Sequence, residues 1–132
     1  LIYNGQEACL DKKLKFFEKD QIEWKECDMT TRYQQLNQLK KQNEALWSGL
    51  YGGTFDRMKT NYDEKVLAFT RASDDNQLFV IANLSKQPLD ITLEQMNHSG
   101  TYASYFEETE MSIEKGTQFS LDEWGYKVFI KQ

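Results

Sequence analysis

The most regular hydrophobic pattern in the chain lies between residues 31 and 47. Apolar or aromatic positions recur there every three or four residues, and glutamines and lysines occupy most of the other positions. That spacing is typical of a helix with one apolar face, and a threonine before it and Gly49 after it suit the two ends. We predict one amphipathic helix from Thr31 to Trp47. Its stripe consists of Tyr33, Leu36, Leu39, Asn43, Leu46 and Trp47.

A different pattern follows Gly49. Short runs rich in β-branched and aromatic residues are separated by turn residues at regular intervals, which is typical of an antiparallel β-sandwich. Apolar and polar positions alternate near the end of the chain, and residues 73–76 indicate a hairpin turn. We predict eight strands, over residues 50–58, 65–72, 77–84, 89–94, 101–106, 110–113, 117–121 and 126–131.

The first 28 residues fit neither pattern. Residues 1–4 resemble the end of a buried strand, and residues 5–28 form a long loop without sustained periodicity. A loop of this length that holds several aromatic residues is expected to be ordered and to carry function. Because a lone strand cannot pair its backbone groups, we expect its neighbours to lie upstream, in a barrel or α/β sheet of which this strand, loop and helix form the last unit.

Charge and hydropathy exclude two classes of partner. The 132 residues carry 21 acidic and 16 basic side chains, which give a net charge of −5. Since nucleic-acid binding depends on clustered lysines and arginines, we expect no nucleic-acid partner. No apolar run approaches the roughly 18 residues that span a bilayer, so we expect no membrane span.

The residue types that most often build reactive or metal sites are scarce. Cys9 and Cys27 are the only cysteines and lack a CxxC spacing, and we favour two free thiols over a disulfide between them. His98 lies alone in a turn-like stretch, which indicates an ordinary surface histidine. No DxDxDG calcium loop occurs, so we expect no metal or cofactor in this chain.

Five segments carry a family resemblance. In order, they are LIYNGQE, FFEKDQIEW, YQQLNQLKKQNEAL with its SGLY exit, EKVLAFTR and LFVIANLS. Together they resemble the carboxyl-terminal end of an α-amylase family glycoside hydrolase, over nearly the whole chain. The resemblance implies that residues 1–48 are the last strand, loop and helix of a catalytic (β/α)₈ barrel. It implies that residues 49–132 are the trailing β-sandwich called domain C, which makes the chain mostly β.

The same resemblance implies a retaining enzyme that hydrolyses or transfers α-glucosidic linkages. Such enzymes need a nucleophilic carboxylate and a carboxylic acid about 5 to 5.5 Å apart. In the family these groups lie on earlier barrel strands, and calcium, where present, is bound mostly there as well. We therefore expect no catalytic residue in this chain, no activity of the chain alone, and the upstream barrel as its partner.

Two sets of residues are candidates for sugar contact. In the family the GQE segment lies near the rim of the sugar cleft, so Asn4, Gln6 and Glu7 are candidate rim residues. Aromatic rings can stack on sugar rings, and the aromatic candidates are Trp24, Tyr51 and Tyr102. For Trp24, together with Phe16 and Phe17, packing of the loop onto its barrel is the favoured alternative. For Tyr51, together with Trp47, a contact between the two domains is favoured over ligand binding, and Trp124 is expected to pack in the core or at its edge.

Three functions remain open at this point. The favoured one is the structural tail of an α-glucan-active hydrolase. The second is a starch-binding module that uses exposed aromatic residues, and the third is a protein interaction module without a sugar role. Without a barrel, the apolar helix face should fold onto the sandwich or onto a second copy of the chain. The aromatic residues considered for the second function are Tyr51, Tyr102, Tyr105 and Phe106.

Overall fold

The computed structural model describes residues 2–74 and 76–132. The chain divides into two compact units, residues 1–42 and residues 43–132, which we call the N-terminal unit and the sandwich unit. This division falls six residues before the boundary after residue 48 that the sequence suggests. That residues 1–48 derive from a barrel stays a prediction.

The sandwich unit contains two antiparallel sheets. The larger sheet has six strands in the order β1-β2-β3-β8-β5-β6, and the smaller one pairs β4 with β7. All eight predicted strands are present, and the predicted antiparallel sandwich is confirmed. The strands are β1 (Thr54–Met58), β2 (Val66–Ala72), β3 (Gln77–Asn83), β4 (Leu89–Thr92), β5 (Gly100–Ser104), β6 (Glu110–Ile113), β7 (Gln118–Leu121) and β8 (Tyr126–Lys131).

The first strand begins later than the sequence pattern suggests. Residues 50–53 were expected to belong to it, but Gly49–Tyr51 forms a 3-10 turn and β1 begins at Thr54. A second 3-10 turn, Glu44–Leu46, precedes it. The backbone N–H of Gly53 donates to the carbonyl of Ala45 at 3.1 Å, which holds the two turns together ahead of the sheet.

The hydrophobic core of this unit lies between the two sheets. Phe79 on β3 is at its centre, with ring centroids of Phe119, Phe129 and Tyr102 at 5.7, 6.1 and 6.5 Å. These rings come from both sheets, because Phe119 lies on β7 and the others lie on the larger sheet. Further buried side chains of the core are Met58, Val66, Ala68, Ile81, Leu89, Ile91, Leu93, Ile113 and Leu121.

Tyr102 gives this core a pH dependence that can be measured. Burial raises the pKa of its phenol from 10.0 to about 12. The folded state thus favours the neutral phenol. The contribution of this phenol to the free energy of unfolding is complete below pH 10 and is lost as the pH rises from about 10 to about 12, by about 1.4 kcal/mol for each pH unit. Urea unfolding across this range should show the loss, and Tyr102→Phe should remove this part of the pH dependence.

The N-terminal unit contains helix α1, Asp28–Gln42. It begins three residues earlier than predicted, because Thr30 lies inside the first turn and not before it. The Oγ1 atom of Thr30 accepts a hydrogen bond from the backbone N–H of Cys27 at 3.2 Å, so the third helical residue reaches back to the residue before the helix. Asp28 places a carboxylate beside the positive end of the helix dipole.

The helix also ends earlier than predicted, at Gln42 instead of Trp47. Asn43 has extended backbone angles, φ −123° and ψ 109°, and its side chain accepts a hydrogen bond from the N–H of Ala45 at 3.2 Å. An asparagine that caps the following turn in this way ends the preceding helix. The apolar spacing at Leu46 and Trp47 therefore belongs to a separate 3-10 turn.

Residues 2–4 do not form the predicted strand, and Leu1 lies outside the described residues. Ile2 and Tyr3 are about half exposed, with 49% and 58% of their surface accessible. The physical reason is that strand geometry requires a paired neighbour, and no described strand pairs with these residues. The long loop that follows is ordered by local contacts.

Candidate functional site

The three candidate rim residues lie in one tight turn. Gly5 opens this turn with φ +96°, and a Cβ atom there would lie only 2.9 Å from Leu10 Cδ2. Gln6 Oε1 accepts from the backbone N–H of Tyr3 at 2.8 Å, and Glu7 Oε2 accepts from that of Gly5 at 3.1 Å. The Gln6 and Glu7 side chains are thus held against their own backbone.

Asn4 is exposed in the same turn. The turn is tied to α1, because Thr30 Oγ1 donates to the carbonyl of Glu7 at 2.6 Å and the Tyr33 hydroxyl lies 3.4 Å from Gln6 Oε1. The structure therefore brings Asn4, Gln6 and Glu7 together on a fixed turn. Their role at the rim of a sugar cleft stays a prediction.

The two cysteines form a disulfide, so the prediction of free thiols was wrong. The Cys9–Cys27 bond joins the end of this turn to the residue before α1, with the two Cα atoms 6.3 Å apart. The sequence separation of 18 residues gave no sign of this approach. The hydrogen bond from Thr30 Oγ1 to the Glu7 carbonyl holds the two ends of the loop together, and this brings the two cysteines close to each other.

The loop inside the disulfide presents two phenylalanines to solvent. Phe16 and Phe17 are 89% and 93% exposed and contact each other edge to face at 4.8 Å. In the same loop, the Asp20 carboxylate accepts hydrogen bonds from Lys12 Nζ at 2.8 Å and from the backbone N–H of Lys15 at 3.1 Å. The Lys12 hydrogen bond and then that of Lys15 lower the pKa of Asp20. The loop is thus ordered without packing its aromatic rings inside the unit.

Removal of the disulfide should expose this loop to proteolysis. The double variant Cys9→Ser and Cys27→Ser should be cut by trypsin at Lys13, Lys19 or Lys25 at least about tenfold faster than the disulfide-bonded chain, because the local opening energy falls. Mass spectrometry of timed digests locates the cuts. Cleavage after Lys115, in the sandwich unit, is the internal control and should keep its rate. Equal loop cleavage in both proteins would contradict the assigned role of the bond.

The aromatic candidates differ sharply in exposure. Trp24 and Tyr51 are 63% and 81% exposed, so their rings can reach a ligand, and their role in sugar stacking stays a prediction. Tyr102 is fully buried, and its hydroxyl donates to the carbonyl of His98 at 2.6 Å. The structure contradicts Tyr102 as a stacking residue, because its position on β5 points into the core. Of the two roles expected for Trp124, core packing is wrong, since this residue is 57% exposed on a turn with φ +57°, and packing at the edge of the core stays a prediction.

His98 lies beside an acidic side chain of β1. Its Nε2 atom lies 3.3 Å from Asp56 Oδ2, and its side chain is 26% exposed. Among residues 2–74 and 76–132, no three histidine, cysteine or acidic side chains come together in a way that could hold a metal ion. In the same described part of the chain, no helix is long and apolar enough to cross a bilayer.

The turn between β5 and β6 forms an open cleft of about 520 Å³, lined by residues 103–110, which we call the hairpin cleft. Tyr105 and Phe106 contact each other edge to face at 5.0 Å, and Phe106 contacts Tyr126 of β8 in the same way at 5.9 Å. Glu107 accepts from Lys127 Nζ at 3.2 Å. The sequence suggested Tyr105 and Phe106 but missed Tyr126 and Glu107, because the pairing of Ser104 with Phe129 is needed to bring β8 beside this turn.

The larger sheet carries apolar side chains on both faces, although Arg57 and Arg71 lie on the second one. Residues opposite each other in antiparallel strands share a face, and Phe69 is opposite Val80, which is opposite Val128. These side chains point away from the core residues Phe79 and Ile81. We call this second side the outer face. Its apolar members are Phe55, Leu67, Phe69, Leu78, Val80, Ala82, Val128 and Ile130.

Much of the outer face remains accessible within this chain. Phe55 is 55% exposed and contacts Phe69 at 5.1 Å, and most of the other members are only partly buried. One end is covered by the preceding turns, where Arg71 donates to the carbonyl of Trp47 at 3.1 Å. An antiparallel sheet with one solvated side normally shows polar residues there, so this composition favours burial against another body.

The chain matches one protein family and is similar to several solved structures. A family model described as "Maltogenic Amylase, C-terminal domain" matches residues 58–128. The solved structure of AmyB, a noncanonic maltogenic α-amylase from Thermotoga neapolitana, is similar over 98% of this chain, with 14% identity and a TM-score of 0.76. AmyP, solved in complex with maltose, is similar over 78%, with 17% identity and a TM-score of 0.61.

A third similar structure is the trehalulose synthase MutB from Pseudomonas mesoacidophila MX-45, over 78% of this chain, with 17% identity and a TM-score of 0.57. At these identities the similarity shows the fold alone. The chain spans 32% of AmyB, 20% of AmyP and 18% of MutB. No curated protein matches it significantly.

Proposed function

Because the chain belongs to the maltogenic amylase C-terminal domain family, we propose that it is the non-catalytic C-terminal part of an α-glucan-active glycoside hydrolase. The sequence resemblance to the carboxyl-terminal end of the α-amylase family is confirmed by this membership. In the proposed role, the sandwich unit packs against a catalytic (β/α)₈ barrel and stabilises it. The glucan reaches the protein through the barrel.

The outer face of the larger sheet is the observation that carries this proposal. Burial of its exposed apolar area against a partner would stabilise the chain by about 25 cal/mol for each Å² buried. A large apolar face on an ordered sheet is typical of a permanent contact with another domain. A catalytic domain of the same enzyme is the partner that the family membership supplies.

Immunodepletion tests the proposed function directly. An antibody raised against residues 43–132 should remove α-glucan hydrolysing activity from an extract of the cells that make this protein, because the activity and the sandwich belong to one particle. Release of reducing sugar from maltodextrin before and after depletion is the measurement, with non-immune antibody as the control. An extract that keeps its full activity after complete removal of the chain would refute the proposal.

A pair of variants on β1 tests the contact surface. Phe55 lies on the outer face, whereas its exposed neighbour Thr54 points to the other side of the strand. In the polypeptide that carries this chain, Phe55→Asp should lower the temperature at which hydrolase activity is lost, since it buries a charge in the proposed contact. Thr54→Asp should leave that temperature unchanged. Equal effects of the two variants would place the catalytic domain elsewhere.

A further inference from the structure

We propose that the Cys9–Cys27 disulfide is a thiol–disulfide exchange site, at which a small zwitterionic thiol forms a mixed disulfide with Cys9 and releases the loop of residues 10–26. This inference does not depend on the proposed function, because all the contacts that it uses lie inside the N-terminal unit. It gives the disulfide a chemical role in addition to closing the loop.

Access selects Cys9 as the sulfur that is attacked. Both cysteines are partly exposed, but Cys9 lines a cleft of about 230 Å³ and Cys27 does not. A thiolate must reach one sulfur of a disulfide directly, so the sulfur beside open space reacts. The cleft is smaller than the range of about 300 to 1,000 Å³ that is usual for drug-sized ligands, and it therefore suits a small thiol.

The charges around Cys9 favour a thiol that carries both signs. The charged residues that line the cleft are Asp11, Lys12, Glu23 and Lys25. Lys12 is paired with Asp20 at 2.8 Å, whereas Asp11, Glu23 and Lys25 form no ion pair with another described residue. A ligand with an ammonium group and a carboxylate can pair with both kinds of side chain, and a ligand of one sign is repelled by one of them.

The exchange proceeds in two balanced steps. In the first, the sulfur of the incoming thiolate bonds to Cys9 Sγ, and the electron pair of the broken S–S bond leaves on Cys27 Sγ. In the second, another thiolate attacks the sulfur of the bound small thiol, and Cys9 leaves as a thiolate. The two protons that the small thiols lose end on the two cysteines. Two small thiols are thus oxidised to their disulfide, and one protein disulfide is reduced.

The local structure favours opening of the bond. Cys27 immediately precedes α1, where the positive end of the helix dipole stabilises a thiolate. Asp28 in the first turn opposes part of this effect, so access and not charge decides which sulfur is attacked. Cys9 has φ +54°, which is unfavourable for a residue with a Cβ atom. The disulfide is one of the restraints that hold Cys9 there, and opening it allows the turn to relax.

Other contacts keep the two cysteines near each other after the bond opens. Thr30 Oγ1 donates to the Glu7 carbonyl at 2.6 Å and accepts from the N–H of Cys27 at 3.2 Å, and neither hydrogen bond involves a cysteine sulfur. The disulfide can therefore form again when the surroundings become oxidising. Within the loop, the ion pair between Lys12 and Asp20 lies at the surface, and such pairs contribute little stability. Reduction should thus loosen the loop and leave the rest of the unit in place.

Incubation of the folded chain with mixtures of reduced and oxidised glutathione tests this site, with glutathione as the zwitterionic probe. After acid quenching and alkylation, peptide mass spectrometry should find a mixed disulfide on Cys9 at least about tenfold more often than on Cys27. The dithiol form should increase towards the reducing mixtures. Tryptic cleavage after Lys13 or Lys19 should increase with it, and cleavage after Lys115, in the sandwich unit, should not.

Three results of this experiment would overturn the proposal. The first is a disulfide that reacts with glutathione only after urea has unfolded the chain. The second is a mixed disulfide found mainly on Cys27. The third is reduction by a protein dithiol such as thioredoxin under conditions in which glutathione leaves the bond intact, because a protein would then be the partner.

A matched variant and matched thiols test the recognition of charge. Lys25→Gln should slow exchange with glutathione severalfold and leave exchange with the neutral thiol 2-mercaptoethanol unchanged. N-acetylcysteine, which lacks the ammonium group, should react more slowly than glutathione at equal thiolate concentration. Lys115→Gln, at an exposed lysine outside the cleft, is the control and should change none of these rates. Equal rates for Lys25→Gln and the unmodified chain with glutathione, or equal slowing with both thiols, would refute a zwitterionic thiol as the partner.

Discussion

Phe79→Ala is expected to lower the free energy of unfolding of the sandwich unit by about 4 kcal/mol. The side chain is fully buried, and its ring lies within 6.5 Å of the Phe119, Phe129 and Tyr102 rings. Truncation removes a large apolar surface and leaves a cavity that the surrounding rings can close only if the two sheets shift towards each other. Urea unfolding followed by tryptophan fluorescence measures the change.

Phe55→Ala provides the matched control for this substitution. Phe55 is also a strand phenylalanine with a ring neighbour, but it is 55% exposed on the outer face. Its truncation in the isolated chain should cost no more than about 1.5 kcal/mol, because solvent fills the space that the ring leaves. Similar losses in the two variants would mean that the space between the sheets is not the main core of this unit.

The β part of the fold was predictable because its residues alternate with the strand period. β6 and β8 have the predicted limits, and the six other strands differ from prediction only at their ends. What the pattern could not give is which strands pair. The insertion of β8 between β3 and β5 depends on contacts between residues far apart in sequence, which periodicity does not record.

The N-terminal unit was less predictable because single hydrogen bonds decide its structure. Thr30 was considered as the residue before the helix, since threonine is common there, yet it accepts from Cys27 inside the first turn. The Cys9–Cys27 disulfide needs the return of the loop, which the sequence does not encode as a local pattern. Asn43 ends the helix although the apolar spacing continues to Leu46.

The candidate sites, too, could be predicted from the sequence only in part. Partly exposed aromatic residues on a turn could be suggested from sequence, as at Tyr105 and Phe106. Strand parity gives the face of a side chain only when the location of the core is known, and for this reason Tyr102 was misassigned. The contacts of Tyr126 and Lys127 with residues of the hairpin cleft depend on the register of β8 against β5.

Asn83, at the end of β3, connects two loops of the sandwich. Its Nδ2 atom donates to the carbonyls of Gln87 at 2.7 Å and Asp122 at 2.8 Å. Its Oδ1 atom accepts from the backbone N–H of Ser85 at 3.0 Å and from the Ser85 hydroxyl at 2.8 Å. The side chain thus uses both donors and both acceptor positions while only 1% exposed. The two loops, after β3 and before β8, are fixed to each other through this one amide.

Asn83→Ala should therefore lower the free energy of unfolding by about 3 kcal/mol, because it removes a buried amide and leaves several partly buried polar groups without their partner at once. Asn61→Ala is the control, since Asn61 also bonds two backbone groups, Asp90 O and Thr92 N–H, but is exposed, and its loss should be about 1 kcal/mol. Urea unfolding gives both values, and hydrogen exchange should show faster exchange at Ser85 and Trp124 in Asn83→Ala. Equal losses in the two variants would mean that solvent readily replaces the Asn83 hydrogen bonds and that the loops hold together without it.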